Sequence, residues 1–136
     1  MKTTISSLLF LCLSFNIYAQ NEVKYFWSGA ITSTSAKVNA KLTNPSTQVR
    51  LVVSNSSSLT SPLYSGYATA NDANSKMAAL SISGLTPNTL YYYAIESDGV
   101  VDNSADDSGS FRTFNTGAFS YTFVVGACAN SSEHTV

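Results

Sequence analysis

The sequence predicts an all-β fold, a sandwich of about seven strands, and three observations carry that expectation. Short runs rich in Val, Ile, Tyr and Thr recur along the chain, separated by Pro, Gly, Asn and Asp at close, even intervals. Several of these runs alternate apolar and polar residues, the period of a half-buried strand. No stretch shows the apolar spacing of an amphipathic helix.

The strands follow in order. Tyr25 to Ile31 is aromatic-rich and reads as the first, with Trp27 expected to be a core anchor because large rings bury large areas. Ser35 to Leu42 is the cleanest alternation, with Ala36, Val38, Ala40 and Leu42 on one face and Lys37, Asn39 and Lys41 on the other. After the Asn44-Pro45-Ser46 turn, Gln48 to Ser54 reads as a third strand with Val49, Leu51 and Val53 inward. Asn55 to Pro62 is a Ser-rich loop, Tyr64 to Ala70 a shorter strand, and Asn71-Asp72-Ala73-Asn74 a turn. Met77 to Ile82 places Ala78, Leu80 and Ile82 on one face.

Next comes the most informative stretch, Gly84 to Ile95. Pro87 fixes φ and, with Asn88, makes a corner, so a strand can start at Leu90. Tyr91 stands just after that corner, placed for its hydroxyl to bond back to the corner backbone. Leu85, Pro87, Thr89 and Tyr91 at alternate positions resemble the pattern of fibronectin type III domains. A hairpin loop is expected after Glu96, and Gly109 to Phe114 returns as the last strand. The expected architecture is an immunoglobulin/fibronectin type III-like sandwich over 20–116.

Two segments flank it. Lys2, the apolar run Ile5 to Ile17 and Ala19 have the layout of a secretory signal peptide over 1–19, so the mature chain would begin at Gln20 in the periplasm or outside the cell. The apolar run is too short and Ser-interrupted for a membrane span. The formal net charge of −1 gives no reason to expect nucleic acid or anionic lipid as a partner. Of the two cysteines only Cys128 would survive cleavage, which excludes a disulfide framework. At the other end, Phe119 to Cys128 reads as a strand in which Phe123, Val124 and Val125 leave both faces apolar. Such strands belong to sheets covered on both sides, so 117–136 is expected to open a second, truncated domain.

Four constellations bear on chemistry. Asp98, Asp102, Asp106 and Asp107 do not have the spacing of an EF-hand loop and read as carboxylates of a solvated hairpin. Ser131, Ser132, Glu133 and His134 are neighbours in sequence, whereas a triad is assembled from distant segments; a polar loop is the expected reading. Asn55 and Asn130 begin Asn-Ser-Ser sequons. Gly126-Ala127-Cys128 puts a thiol at a strand end among small residues. A thiolate there can ligate a metal or act as a nucleophile, and a buried inert cysteine fits the same residues.

An exported sandwich running through Gly109-Ser-Phe-Arg-Thr-Phe114 to a Phe-x-x-Gly-Ala-Cys128 strand end resembles the amino-terminal part of alkaline phosphatase D type (PhoD-like) phosphatases. The resemblance implies a following metallophosphoesterase domain that packs on the sandwich, phosphate esters as substrates, and iron and calcium as cofactors of the complete enzyme. It implies Cys128 as a metal ligand and no catalytic residue within 1–136. The family pattern has Ser before that cysteine and an amide residue after it; here Ala127 and Ala129 stand in those places, with Asn130 one further on. Two other readings fit the sandwich: a stand-alone secreted module for adhesion or carbohydrate association, and the amino-terminal region of a purple acid phosphatase. The latter family has Asp where this chain has Cys128.

Overall fold

The computed structural model describes residues 22–102, 108–120 and 122. Nine strands run in chain order: β1 (Val23–Gly29), β2 (Ser35–Leu42), β3 (Ser46–Ser54), β4 (Leu63–Tyr64), β5 (Ala68–Ala70), β6 (Met77–Ser83), β7 (Leu90–Ser97), β8 (Val100–Asp102) and β9 (Ser108–Arg112). They form two antiparallel sheets, β1-β2-β6 and β4-β3-β7-β8, with β5 also on β3 and β9 also on β7. The expected all-β sandwich is what the chain forms. The nine strands fill seven places, because β4 and β5 share one edge of β3 while β8 and β9 share one edge of β7. No helix among the described residues is long and apolar enough to cross a membrane.

The core lies between the sheets where the alternation placed it. Ala36, Val38, Ala40 and Leu42 of β2 and Ala78, Leu80 and Ile82 of β6 face Val49, Leu51 and Val53 of β3, all of them buried. Tyr91, Tyr93 and Ile95 of β7 and Phe111 of β9 complete it. Tyr93 is the hinge of the two layers. Its ring meets Phe26 of the first sheet edge-on at 5.6 Å and Phe111 of its own sheet at 5.8 Å.

Three expectations are corrected. Trp27 is not a core anchor: it is 47% exposed. The register of β1 on β2 shifts between Val23 and Tyr25, and one extra residue in a strand reverses which side chains face inward. Val23 therefore points into the core, Tyr25 and Trp27 point out, and Phe26, partly buried, supplies the ring that packs on the core. The strand also begins at Val23 and ends at Gly29, before Ala30 turns to φ 46°.

Tyr64 to Ala70 is not one strand. It breaks at Ser65–Tyr67, where the Ser65 hydroxyl accepts the Leu51 N–H at 2.8 Å. A side chain thus completes the β3 ladder and the edge can bend away.

The loop after Glu96 is tighter than expected. Asp98 and Gly99, at φ 53° and 82°, make the two-residue turn in which both central residues adopt positive φ, and β8 follows at once. The Asn71–Asn74 turn is as expected and is closed as a capping box, each Asn side chain bonding the other's backbone.

Candidate functional site

Cys128, Asn130, Ser131, Ser132, Glu133, His134, Asp106 and Asp107 lie outside the described residues. Of the strand expected from Phe119 onward, Phe119, Ser120 and Thr122 are described and are not in a strand. Asn55 is exposed just beyond β3. The two described aspartates of the acidic loop tie the backbone together. Asp98 Oδ1 accepts from Ser46 Oγ at 2.8 Å, and Asp102 Oδ2 accepts from Val23 N–H at 3.4 Å, linking β8 to the first sheet. Among the described residues no three His, Cys, Asp or Glu side chains gather as metal ligands.

The end of the sandwich from which the chain leaves toward Cys128 is built around the Pro87 corner. Tyr91 behaves as a tyrosine corner: its hydroxyl accepts the Thr86 N–H at 3.0 Å. Thr113, immediately after β9, ties the corner from the other side. Its Oγ1 donates to the Thr86 carbonyl at 2.6 Å and accepts the Thr89 N–H at 2.9 Å, and its own N–H donates to the Thr89 carbonyl at 3.0 Å. The next residue reaches the first sheet's β1–β2 loop, Phe114 N–H donating to Thr32 O at 3.0 Å. Asn88, at φ 51°, donates its N–H to Phe114 O, and Arg112 Nη1 donates to Asn88 O.

Beside this stitching lies a cleft of about 360 Å³ between Asn88, Arg112 and the paired rings of Phe114 and Phe119, 5.0 Å apart. Phe119 is 42% exposed. The exit of the chain is thus held at a fixed place and presents apolar surface there.

Both sheets carry exposed rings on their outer faces. On the second sheet Arg50 makes a bidentate ion pair with the buried Glu96, both N···O distances 2.8 Å, and its guanidinium lies 4.0 Å from the Tyr64 ring centre and 5.0 Å from that of Tyr67. The hydrogen bond to Glu96 raises the Arg50 pKa, opposed by the smaller effect of desolvation. The cluster covers Val52 and Ala94, which makes it a structural lid more than a receptor. On the first sheet Tyr25 and Trp27 stand free of such a lid. Sequence reasoning missed Thr113 and Arg50–Glu96 altogether. Opposite charges on outward positions of two strands were visible, but only the register puts Arg50 opposite Glu96.

Burial pushes the Tyr93 hydroxyl above its ordinary value of 10.0, with a hydrogen bond involving Ser28 pulling the other way. A raised tyrosine pKa means the fold favours the neutral phenol. Its contribution is whole below pH 10 and is lost as pH rises through the folded value. Alkaline denaturation should accordingly steepen above about pH 10, and Tyr93→Phe should flatten that limb in a pH series of urea melts.

No family model matches the chain, and no curated protein matches it. Solved structures do. PhoD is similar at a TM-score of 0.55 and 18% identity, over 66% of this chain and 18% of that one. The longer form of the sensor domain of the anti-sigma factor RsgI4 from Pseudobacteroides cellulosolvens is similar at 0.55 and 17%, over 77% of this chain and 100% of that one. A computationally redesigned β-sandwich protein is similar at 0.50 and 19%. At these identities the likeness is one of fold. The chain spans 18% of the length of PhoD.

Proposed function

We propose that this chain is the amino-terminal accessory sandwich of an exported, PhoD-like metal-dependent phosphatase or phosphodiesterase, and that it has no catalytic power by itself. The observation that carries the reading is the exit of the chain. The Gly109–Phe114 segment that resembles the family, the end of β9 and the two residues after it, is stitched to the loops of both sheets at Thr113 and Phe114, beside apolar surface at Phe119. A domain following at residue 117 would start from a rigid anchor and find a partly apolar surface to pack on. The fold likeness to one part of PhoD supports this independently of those motifs.

In this reading Cys128 contributes a thiolate to a metal centre whose remaining ligands come from the following domain. Iron with calcium, when bound, would activate water and stabilise charge on the phosphoryl oxygens. In this reading the sandwich anchors the chain where it leaves toward Cys128 and leaves the chemistry to its neighbour.

The test starts with the reading frame beyond Val136, which should encode Asp-, Asn- and His-containing metal motifs. The protein it encodes, supplied with iron and calcium, should hydrolyse p-nitrophenyl phosphate or its bis-ester. Cys128→Ser should lose at least the roughly 10–100-fold that removing even an outer partner of a metal ligand costs. A stop codon directly after Val136, or a full-length product without esterase activity, overturns the reading. A second reading, an independent secreted module, has one observation in its favour: the RsgI4 sensor domain is covered over its whole length by this fold. The same codons decide between the two.

A further inference from the structure

The outer face of the first sheet has a composition that the core does not require. Tyr25, 59% exposed, and Trp27, 47% exposed, lie two residues apart on the edge strand β1, so their rings are spaced about 7 Å along it. The register sets Lys41 opposite Tyr25, Asn39 opposite Trp27 and Lys37 opposite Gly29. Beyond them the outward row of β6 is Met77, Ala79 and Ser81, which leaves the far side of the face low. A ridge of two rings thus borders a row of amide and ammonium groups and a shallow shelf. Lys24, exposed at the irregularity of β1, adds a third positive charge.

No carboxylate belongs to this face. Outward positions of β1, β2 and β6 hold no Asp or Glu, although the whole chain carries a net charge of −1. The acidic groups near the strand ends lie outside these three strands: Glu22 accepts from Thr43 Oγ1 at 3.4 Å, Asp72 pairs with Lys76 at 3.8 Å, and Asp102 accepts from the Val23 N–H at 3.4 Å. Lys41 donates to the Ser75 carbonyl, which fixes one ammonium at the margin. Lys37 is exposed.

We infer that this face binds an anionic polysaccharide. A sugar ring has an apolar face of C–H groups and a polar rim of hydroxyls. The first stacks on an aromatic ring; the second needs hydrogen-bond partners such as Asn39, within reach of the same ring. Successive residues of an extended glycan can use Tyr25 and Trp27 in turn, and uronate carboxylates or sulfate groups complement Lys37 and Lys24. A packed protein neighbour suits the face less well, because its middle row would bury Lys37, Asn39 and Lys41 away from water. A lipid surface suits it less well too, since the face has no Leu, Ile or Phe to insert. The inference does not rest on the phosphatase reading.

Trp27 is the only tryptophan of the chain, so its fluorescence reports on the face directly. Titrating the purified 136-residue chain with polygalacturonate should shift and change its emission. Affinity electrophoresis in the same polymer should show retardation that falls roughly tenfold or more in Trp27→Ala, the scale of losing one stacked ring. Lys37→Gln should weaken binding, and raising salt toward 1 M, where the screening length is about 3 Å, should weaken it further. Tyr64→Ala, on the opposite sheet, should bind as the parent does. The inference is overturned by any of four results: no response to polygalacturonate, an equal response to the uncharged polymer pullulan, a response confined to phosphatidylglycerol vesicles or oligo-dT, or an equal loss in Tyr64→Ala.

Discussion

Thr113→Val should lower the stability of the sandwich by about 2–4 kcal/mol, although the two side chains have nearly the same shape. Thr113 is 1% exposed, and Val fills its place without a hydroxyl. Two partners are then left unmatched: the Thr89 N–H, which Thr113 Oγ1 accepts at 2.9 Å, and the Thr86 carbonyl, to which it donates at 2.6 Å. The corner cannot recruit replacements from a strand neighbour. Pro87 supplies no N–H, Asn88 is committed to Phe114 O, and the Thr86 N–H is held by the Tyr91 hydroxyl. A buried donor without an acceptor costs about 1–3 kcal/mol, and the carbonyl, with two lone pairs and an exposed residue behind it, adds less.

Thr113→Ser separates the two ingredients, since it keeps the oxygen and removes one methyl, worth about 0.8 kcal/mol. Urea melts of the parent, Ser and Val chains should therefore fall in that order, with equal m values. A Val variant as stable as the parent would mean that water satisfies the corner and that the exit of the chain is not rigidly held. The proposed anchoring of a following domain would lose its support with it.

What the sequence revealed and what it concealed divide along a physical line. Alternation with period two is a local property, so Ala36 to Leu42, Val49 to Val53 and Ala78 to Ile82 could be assigned to the core from spacing alone. The Pro87 corner was legible too, because a fixed φ and a tyrosine four residues later act within one turn. The faces of β1 were not legible. A single irregularity between Val23 and Tyr25 inverts every assignment after it, and nothing in Tyr-Phe-Trp says which ring turns inward. Arg50–Glu96 and Thr113 depend on partners 46 and 24 or more residues away, which no local pattern encodes. The hairpin after Glu96 was legible for the same reason as the Pro87 corner, since Asp98 and Gly99 are residues that accept positive φ in a two-residue turn. The net charge is an average, and a value near zero does not report that β1, β2 and β6 carry lysines and no carboxylate.

Tyr93→Ala should cost about 3–5 kcal/mol, the largest loss expected from a single side chain in this fold. The ring is 3% exposed and joins the sheets through Phe26 and Phe111, so its removal opens a cavity that aromatic neighbours on two different layers cannot both collapse to fill. Its position also explains a glycine. A Cβ on Gly109, directly opposite Tyr93 in the β7–β9 register, would stand 2.5 Å from the ring carbon that bears the hydroxyl. Phe26 and Phe111 hold the ring on two sides, and Gly109→Ala should cost about 1–3 kcal/mol through overpacking. The two substitutions should not add. Once the ring is gone, the new methyl meets open space, and strand propensity favours Ala over Gly. In a double-mutant cycle, Gly109→Ala should thus turn from destabilising to neutral or mildly stabilising in the Tyr93→Ala background, a coupling on the order of 1–3 kcal/mol. Additive losses would show that the strand, not the ring, sets the requirement for glycine, and that Tyr93 has room to move between the layers.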